Sequence, residues 1–329
     1  MVKRVSRWLS LGPVLVAIAA GPATAAPPFT GTIFLDPDII TPEDATAFVS
    51  LQSTGRGSRL MFDRRIPGWT TLNAFLFEAR FSDGDAIEIQ VNPEFGEVAA
   101  ARVAAEEYAP PIGRLPLALR RDVETVWIHR GFNPFGGGNN NLLIHTGQGE
   151  RYLRDGILEE TLVHEASHTS LDNPHATTRG WLGAQAADGE FISTYARDNP
   201  TREDIAESFL TYLAVRHRAD RISASLAETI LRTIPNRVAY FDSLGLDLHP
   251  MVPRQPPAIL RLQLDPDLKR LTVRWSSRPG ARYTLFRSLD LDTWEALGGT
   301  VPSAGERTEH NWDWAEALPQ AFFQVRESP

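Results

Sequence analysis

GILEETLVHEASHTSLD, residues 156–172, carries His164 and His168 four positions apart, with Glu165 beside the first. On a helix of about 3.6 residues per turn, His168 falls about 40° around the axis from His164 and Glu165 falls about 100° from it. Leu158, Leu162 and Ala166 lie beyond the glutamate and form an apolar stripe suited to burial. The two imidazoles therefore share one face, flanked by a carboxylate. A zinc ion needs this arrangement: neutral imidazole nitrogens about 2 Å away, an open position for water, and a base beside it. The metal acidifies the water, and Glu165 takes its proton as the water attacks a carbonyl.

Two imidazoles are one ligand short of such a centre. The metzincin spacing asks for glycine and histidine where this chain has Leu171 and Pro174, and His175 comes one residue late. Asp172 is close enough to consider, but its position before Asn173-Pro174 reads as a helix end. Further on, FISTYARDNPTREDIAESFLTYLAVR, residues 191–216, has Thr201 with Asp204 three later, a capping-box-like start after Pro200. A helix beginning there puts Glu203 and Glu207 on one face, and Ile205, Phe209 and Tyr212 on the other, toward a core.

These two segments together resemble the gluzincin metallopeptidases, in which H-E-x-x-H on one helix is completed by a glutamate on a later helix. The closer likeness is to the catalytic domain of anthrax lethal factor and its relatives, which read roughly Y-x-R-x-N and then E-x-x-A-E-x-F. Here the matching residues are Tyr195, Arg197 and Asn199, then Glu203, Ala206, Glu207 and Phe209. The likeness spans about residues 158–212. It implies a zincin-like α+β fold, with zinc held by His164, His168 and Glu203 and with Glu165 as general base. It also makes Glu207 the carboxylate that orients a ligand histidine, and Tyr195 a hydrogen-bond donor to the transition state. Ser167 replaces a glycine often found inside the motif.

Composition sets the setting. MVKRVSRWLSLGPVLVAIAAGPATAAPP has the cationic, apolar and small-residue layout of a signal peptide, with cleavage expected after Ala25 or Ala26. Its apolar run is too short to span a bilayer, so no membrane span is expected in the mature chain. Loss of Lys3, Arg4 and Arg7 takes the formal charge from −8 to −11. An acidic chain argues against nucleic acid as a partner. There is no cysteine, hence no disulfide framework, thiolate zinc site or cysteine nucleophile.

Residues 248–258 hold four prolines and read as a linker between residues 27–247 and a tail of residues 259–329. In the tail, ILRLQL, LTVRW, RYTLF, TWEAL and FFQV recur at short spacing with turn signals between, the pattern of an all-β sandwich. Its W-S-S-x-P-G-x-x-Y and S-L-D-L-x-x-W stretches resemble the small sandwich modules at the C-terminus of many secreted bacterial proteins, which implies an accessory or surface-attachment role. Trp275, Tyr283, Trp294, Trp312 and Trp314 are candidates for core packing or for a sugar-binding platform. Upstream, residues 27–75 are turn-rich and leave open a propeptide or an integral segment. Residues 76–92 read as a hairpin about Asp83-Gly84, 97–108 as a helix and 123–131 as a strand. Helical signal dominates from 156 to 244. Residues 141–146, after the loop GFNPFGGGNNN, are a candidate edge strand for pairing with an extended substrate. His145 in that strand reads as structural.

The expectation is a secreted or periplasmic zinc metallopeptidase, an endopeptidase acting on protein or peptide. The alternative is a secreted binding or surface protein whose zinc-binding domain does not cleave peptides.

Overall fold

The structure is a computed structural model that describes residues 26–32, 39–66, 68–313 and 320–328. The expected leader and Trp314 lie outside the described residues. In chain order the first half holds β1 (Phe48–Asp63), β2 (Gly68–Phe81), β3 (Ala86–Val91), α1 (Val98–Arg114), α2 (Leu117–Arg120), β4 (Thr125–His129), β5 (Gly136–Gly138) and β6 (Asn141–His145). The helical half holds α3 (Thr146–Arg154), α4 (Leu158–Ser170), α5 (Asp172–His175), α6 (Arg179–Asp188), α7 (Thr194–Asp198), α8 (Asp204–His217), α9 (Ala224–Thr233) and α10 (Pro235–Ser243). The tail holds β7 (Ile259–Asp265), β8 (Arg270–Ser276), β9 (Arg282–Ser288), β10 (Glu295–Ala296), β11 (Val301–Pro302), β12 (Arg307–Asp313) and β13 (Phe322–Ser328).

Strands β1 to β6 form one mixed sheet in the order β1-β2-β3-β4-β6-β5. β3, β4 and β6 run parallel, while β5 turns back antiparallel on β6. Strand alternation then sorts the side chains. Val126, Ile128, Leu142 and Ile144 face the main core with α1 and α4, whereas Trp127 and Leu143 pack with Met61, Ala74 and Leu76 on the other side. The α+β character expected for the large domain is present. The described residues from 39 to 75 are built into it: β1 and β2 are sheet strands, and buried Ile39 and Ile40 donate their backbone N–H groups to the Glu160 carboxylate.

Residues 141–146 were expected to supply a sheet edge, and the structure corrects this. β6 is internal, bonded to β4 on one side and β5 on the other. The edge on this side of the sheet is Gly136–Gly138, whose glycines give no alternation from which a strand is read. The hairpin loop is Asn139-Asn140, both left-handed with φ of 51° and 56°, as a two-residue turn of the primed type needs.

The tail forms two small antiparallel sheets, one of β7, β8 and β12 and one of β9, β10, β11 and β13. Leu271, Val273, Trp275, Tyr283, Leu285 and Val325 make a separate core between them, with Trp312 partly buried against it. Packing therefore explains Trp275, Tyr283 and Trp312. The tail departs from the expected strand list at β12, where RTEHNWD turns only Thr308 and Trp312 inward and so lacks an apolar signature, and at TWEAL, which shrinks to a two-residue strand. Among the described residues no helix is long and apolar enough to cross a membrane.

Candidate metal centre

α4 begins after Gly156, which adopts φ 69°, and carries Glu159 and Glu160 in its first turn, where acidic groups favour a helix start. Leu158, Leu162, Val163 and Ala166 are buried in the main core, which leaves His164 and His168 on the adjoining face. Ser167 is also buried and donates its hydroxyl to the Val163 carbonyl, clear of the imidazoles.

α8 starts at Asp204, three residues later than the Thr201 start expected from sequence. Residues 201–203 form a turn closed by the Arg202 and Glu203 N–H groups on the Asn199 carbonyl. The Asp204 side chain is used elsewhere: it receives Gln185 and the buried guanidinium of Arg237, which also grips Asp188. That buried network ties α6, α8 and α10 together and fixes the backbone beside Glu203.

The tertiary fold brings His164, His168 and Glu203 into one group able to hold a metal ion. The two Nε2 atoms are 3.2 Å apart, and Glu203 Oε2 lies 3.1 Å from His168 Nε2 and 3.4 Å from His164 Nε2. A tetrahedral zinc with bonds of about 2.0–2.1 Å separates its ligand atoms by about 3.3 Å, so the triangle already has the edge length of such a site. His164 and Glu203 are buried, and Glu203 Oε2 faces the Nε2 atoms of both imidazoles. Burial opposes the charge on Glu203, yet the two facing imidazoles hold its carboxyl well below the usual carboxylate range. Burial likewise disfavours the His168 imidazolium, but hydrogen bonds to Asp172 and Glu203 push its pKa up to about 10. The group calls for a positive charge, which a proton or a metal cation supplies.

Each imidazole faces a carboxylate with its Nδ1, and that of His168 is hydrogen-bonded to it. His168 Nδ1 is 2.8 Å from Asp172 Oδ2, and His164 Nδ1 is 3.5 Å from Glu207 Oε1. Glu207 is itself anchored by the Ser193 hydroxyl at 2.6 Å, and the same hydroxyl accepts the Ala196 N–H to cap α7. One serine thus sets both Glu207 and the short helix that carries Tyr195. Asp172, read from sequence as a helix end, is here the partner of His168. The signal that finds it is the four-residue spacing from His168. Carboxylates in this position typically contribute 10–100-fold to metal affinity. Asp172→Ala and Glu207→Ala are each expected to weaken zinc binding about 10–100-fold while the fold persists, as measured by competition with a chromogenic chelator. An unchanged affinity in both would show that these contacts do not orient the ligands.

Glu165 and Tyr195 are half-buried beside the triad. Burial first, then the charge of Glu203 and its hydrogen bond, push the Tyr195 phenol up to about 12, so it remains a donor at neutral pH. Tyr152 in α3, which drew no attention in the sequence, is raised chiefly by burial and also feels the charge of Glu165. The chain places β5 hard against α4: a Cβ at Gly137 would stand 1.8 Å from the Glu165 carbonyl oxygen. Gly138 N–H donates to the Thr169 hydroxyl at 2.8 Å, which locks the strand to the helix. Gly137→Ala must push β5 off α4, with an expected loss of about 1–3 kcal/mol in urea unfolding.

The remaining histidines lie apart from the triad. His175 turns its Nδ1 to the Tyr240 hydroxyl at 2.8 Å and does not join the metal-binding group. His145 is fully buried on the sheet face of Leu143, with its Nε2 3.5 Å from Asp63 Oδ1, and stacks on His129 at 5.5 Å. Comparison with known proteins gives little. No family model and no curated protein matches the chain. Among solved structures, Legionella pneumophila aminopeptidase A in complex with aspartic acid aligns at 12% identity and a TM-score of 0.22. The alignment covers 83% of this chain and 42% of that one, so the chain spans under half the aminopeptidase's length.

Proposed function

We propose that this protein is a zinc-dependent metallopeptidase. The observation that carries the reading is the triangle of His164, His168 and Glu203, sized for a tetrahedral ion and backed by Asp172 and Glu207, with Glu165 and Tyr195 beside it. Two imidazoles and one carboxylate match the ligand set of catalytic zinc sites, which leave a position open. His164, His168 and Glu203 would hold the ion, and a bound zinc would supply Lewis acidity toward a water and a carbonyl.

The chain's own groups do the rest. Glu165 accepts the proton of the attacking water and returns it to the leaving amine. Tyr195 donates its phenolic hydrogen to the oxygen that gains negative charge. β5, the end strand of the sheet beside the Glu165 turn, is the edge an extended substrate would approach at Gly137, since the Gly138 N–H is already taken by Thr169, and the glycines let that backbone come close. The formal net charge of −8 and the absence of cysteine are compatible with an exported protein.

Metal analysis of the purified protein joined to a peptide-library digest tests this reading. One equivalent of zinc and cleavage at internal bonds are expected. Full zinc with no cleavage of any peptide would favour the second reading, a secreted zinc-binding protein without peptidase activity.

A further inference from the structure

A groove of about 1440 Å³ is lined both by His168, one of the three residues of the metal-binding group, and by residues of the C-terminal module. Its lining includes His168, Asp172 and Thr201 from the large domain, Leu246 and Val252 at the junction, and Pro279 of the C-terminal module. Asn139 and Asn140, the turn that leaves the β5 edge, line it as well. The volume exceeds the roughly 300–1,000 Å³ of sites for drug-sized ligands. A polypeptide paired with β5 would leave the edge at this turn and continue into the groove.

The far wall is fixed in place. Asp247, at the end of the large domain, pairs with Arg254 of the linker at 2.9 Å and with Arg278 of the β8–β9 loop at 3.2 Å. Arg278 also pairs with Glu327 of β13, and its backbone N–H donates to the Tyr283 hydroxyl at 2.7 Å. The linker is docked by Leu117 N–H on the His249 carbonyl and Ala118 N–H on the Asp247 carbonyl. These bonds hold the β8–β9 loop over the groove, where surface attachment alone would place no demand on it.

We infer that the C-terminal β module is one wall of the substrate cleft, and that it takes an extended, unfolded polypeptide on the His168 side of the metal centre. The inference rests on the peptidase reading above. The module is then a selectivity element: chains long enough to reach it bind better than short peptides.

Pro279 and Gln255 are exposed in the groove wall, so a bulky residue at either fills the groove without entering a core. The test uses the full chain carrying Glu165→Gln, loaded with zinc, and the anisotropy of fluorescently labelled unfolded casein. Pro279→Trp and Gln255→Trp are each expected to raise the Kd at least tenfold, and Arg261→Trp, on β7 and outside the groove lining, to leave it unchanged. Equal affinity in all variants, or no casein binding at all, overturns the inference. So does concentration-dependent dimerisation that Pro279→Trp abolishes, which would assign the groove to a second copy of this chain. Casein turnover by the protein with Glu165 intact is read separately: if it cleaves nothing while the binding pattern holds, the peptidase reading falls and the groove stands.

Discussion

Glu165→Gln is expected to leave zinc stoichiometry intact and to lower peptide hydrolysis by about 10³-fold, within the usual span for a general base. Glutamine keeps the size and the hydrogen-bonding shape of glutamate but cannot take a proton. Glu165 lies outside the triangle formed by His164, His168 and Glu203, so metal binding does not depend on it. Its backbone is packed beneath β5, where the Gly137 contact is made by the main chain and survives the substitution. Metal content by mass spectrometry and kcat on a cleaved library peptide are the two readouts. Loss of zinc together with activity would make Glu165 a ligand, and full activity would remove it as the base.

Glu203→Ala is expected to lose zinc, and His175→Ala to keep one equivalent. In the first variant the two Nε2 atoms still face each other at 3.2 Å, but the carboxylate that completes the triangle is gone. The drop in affinity should exceed the about 10–100-fold that an outer carboxylate such as Asp172 contributes. His175 bonds to Tyr240, and its removal costs a surface contact. Stoichiometric zinc in Glu203→Ala with loss in His175→Ala would reverse the assignment of the third ligand. The pair of variants also controls for folding, because Glu203 stands at the N-cap position of α8 without a side-chain capping bond.

Much of the site is legible in the sequence because its parts are local. His164, Glu165 and His168 sit within five residues, and helical periodicity alone aligns them. Glu203 and Glu207 are again one turn apart, although nothing local says that this turn faces the first helix. Asp172 was misread because a carboxylate before Asn-Pro explains itself as a helix end. Its bond to His168 depends on a short helix, α5, following α4 at a bend. Strand β1 passed unread because its exposed, glycine-bearing residues have little to bury. It gains its order from the partner strand β2.

By itself, the sequence determined that the chain has a helix presenting two imidazoles and a glutamate, a proline-rich joint, an α+β body and a β-rich tail. Spacing and turn chemistry act over a few residues, so they survive in one dimension. Only the tertiary structure decided that Glu203 lies 3.1 Å from His168, that Asp172 and Glu207 stand behind His168 and His164, that one sheet edge is three glycines, and that the tail lines a groove beside His168. Those relations join residues tens of positions apart through packed cores and buried ion pairs such as Arg237 with Asp188 and Asp204, and no local pattern encodes such distances.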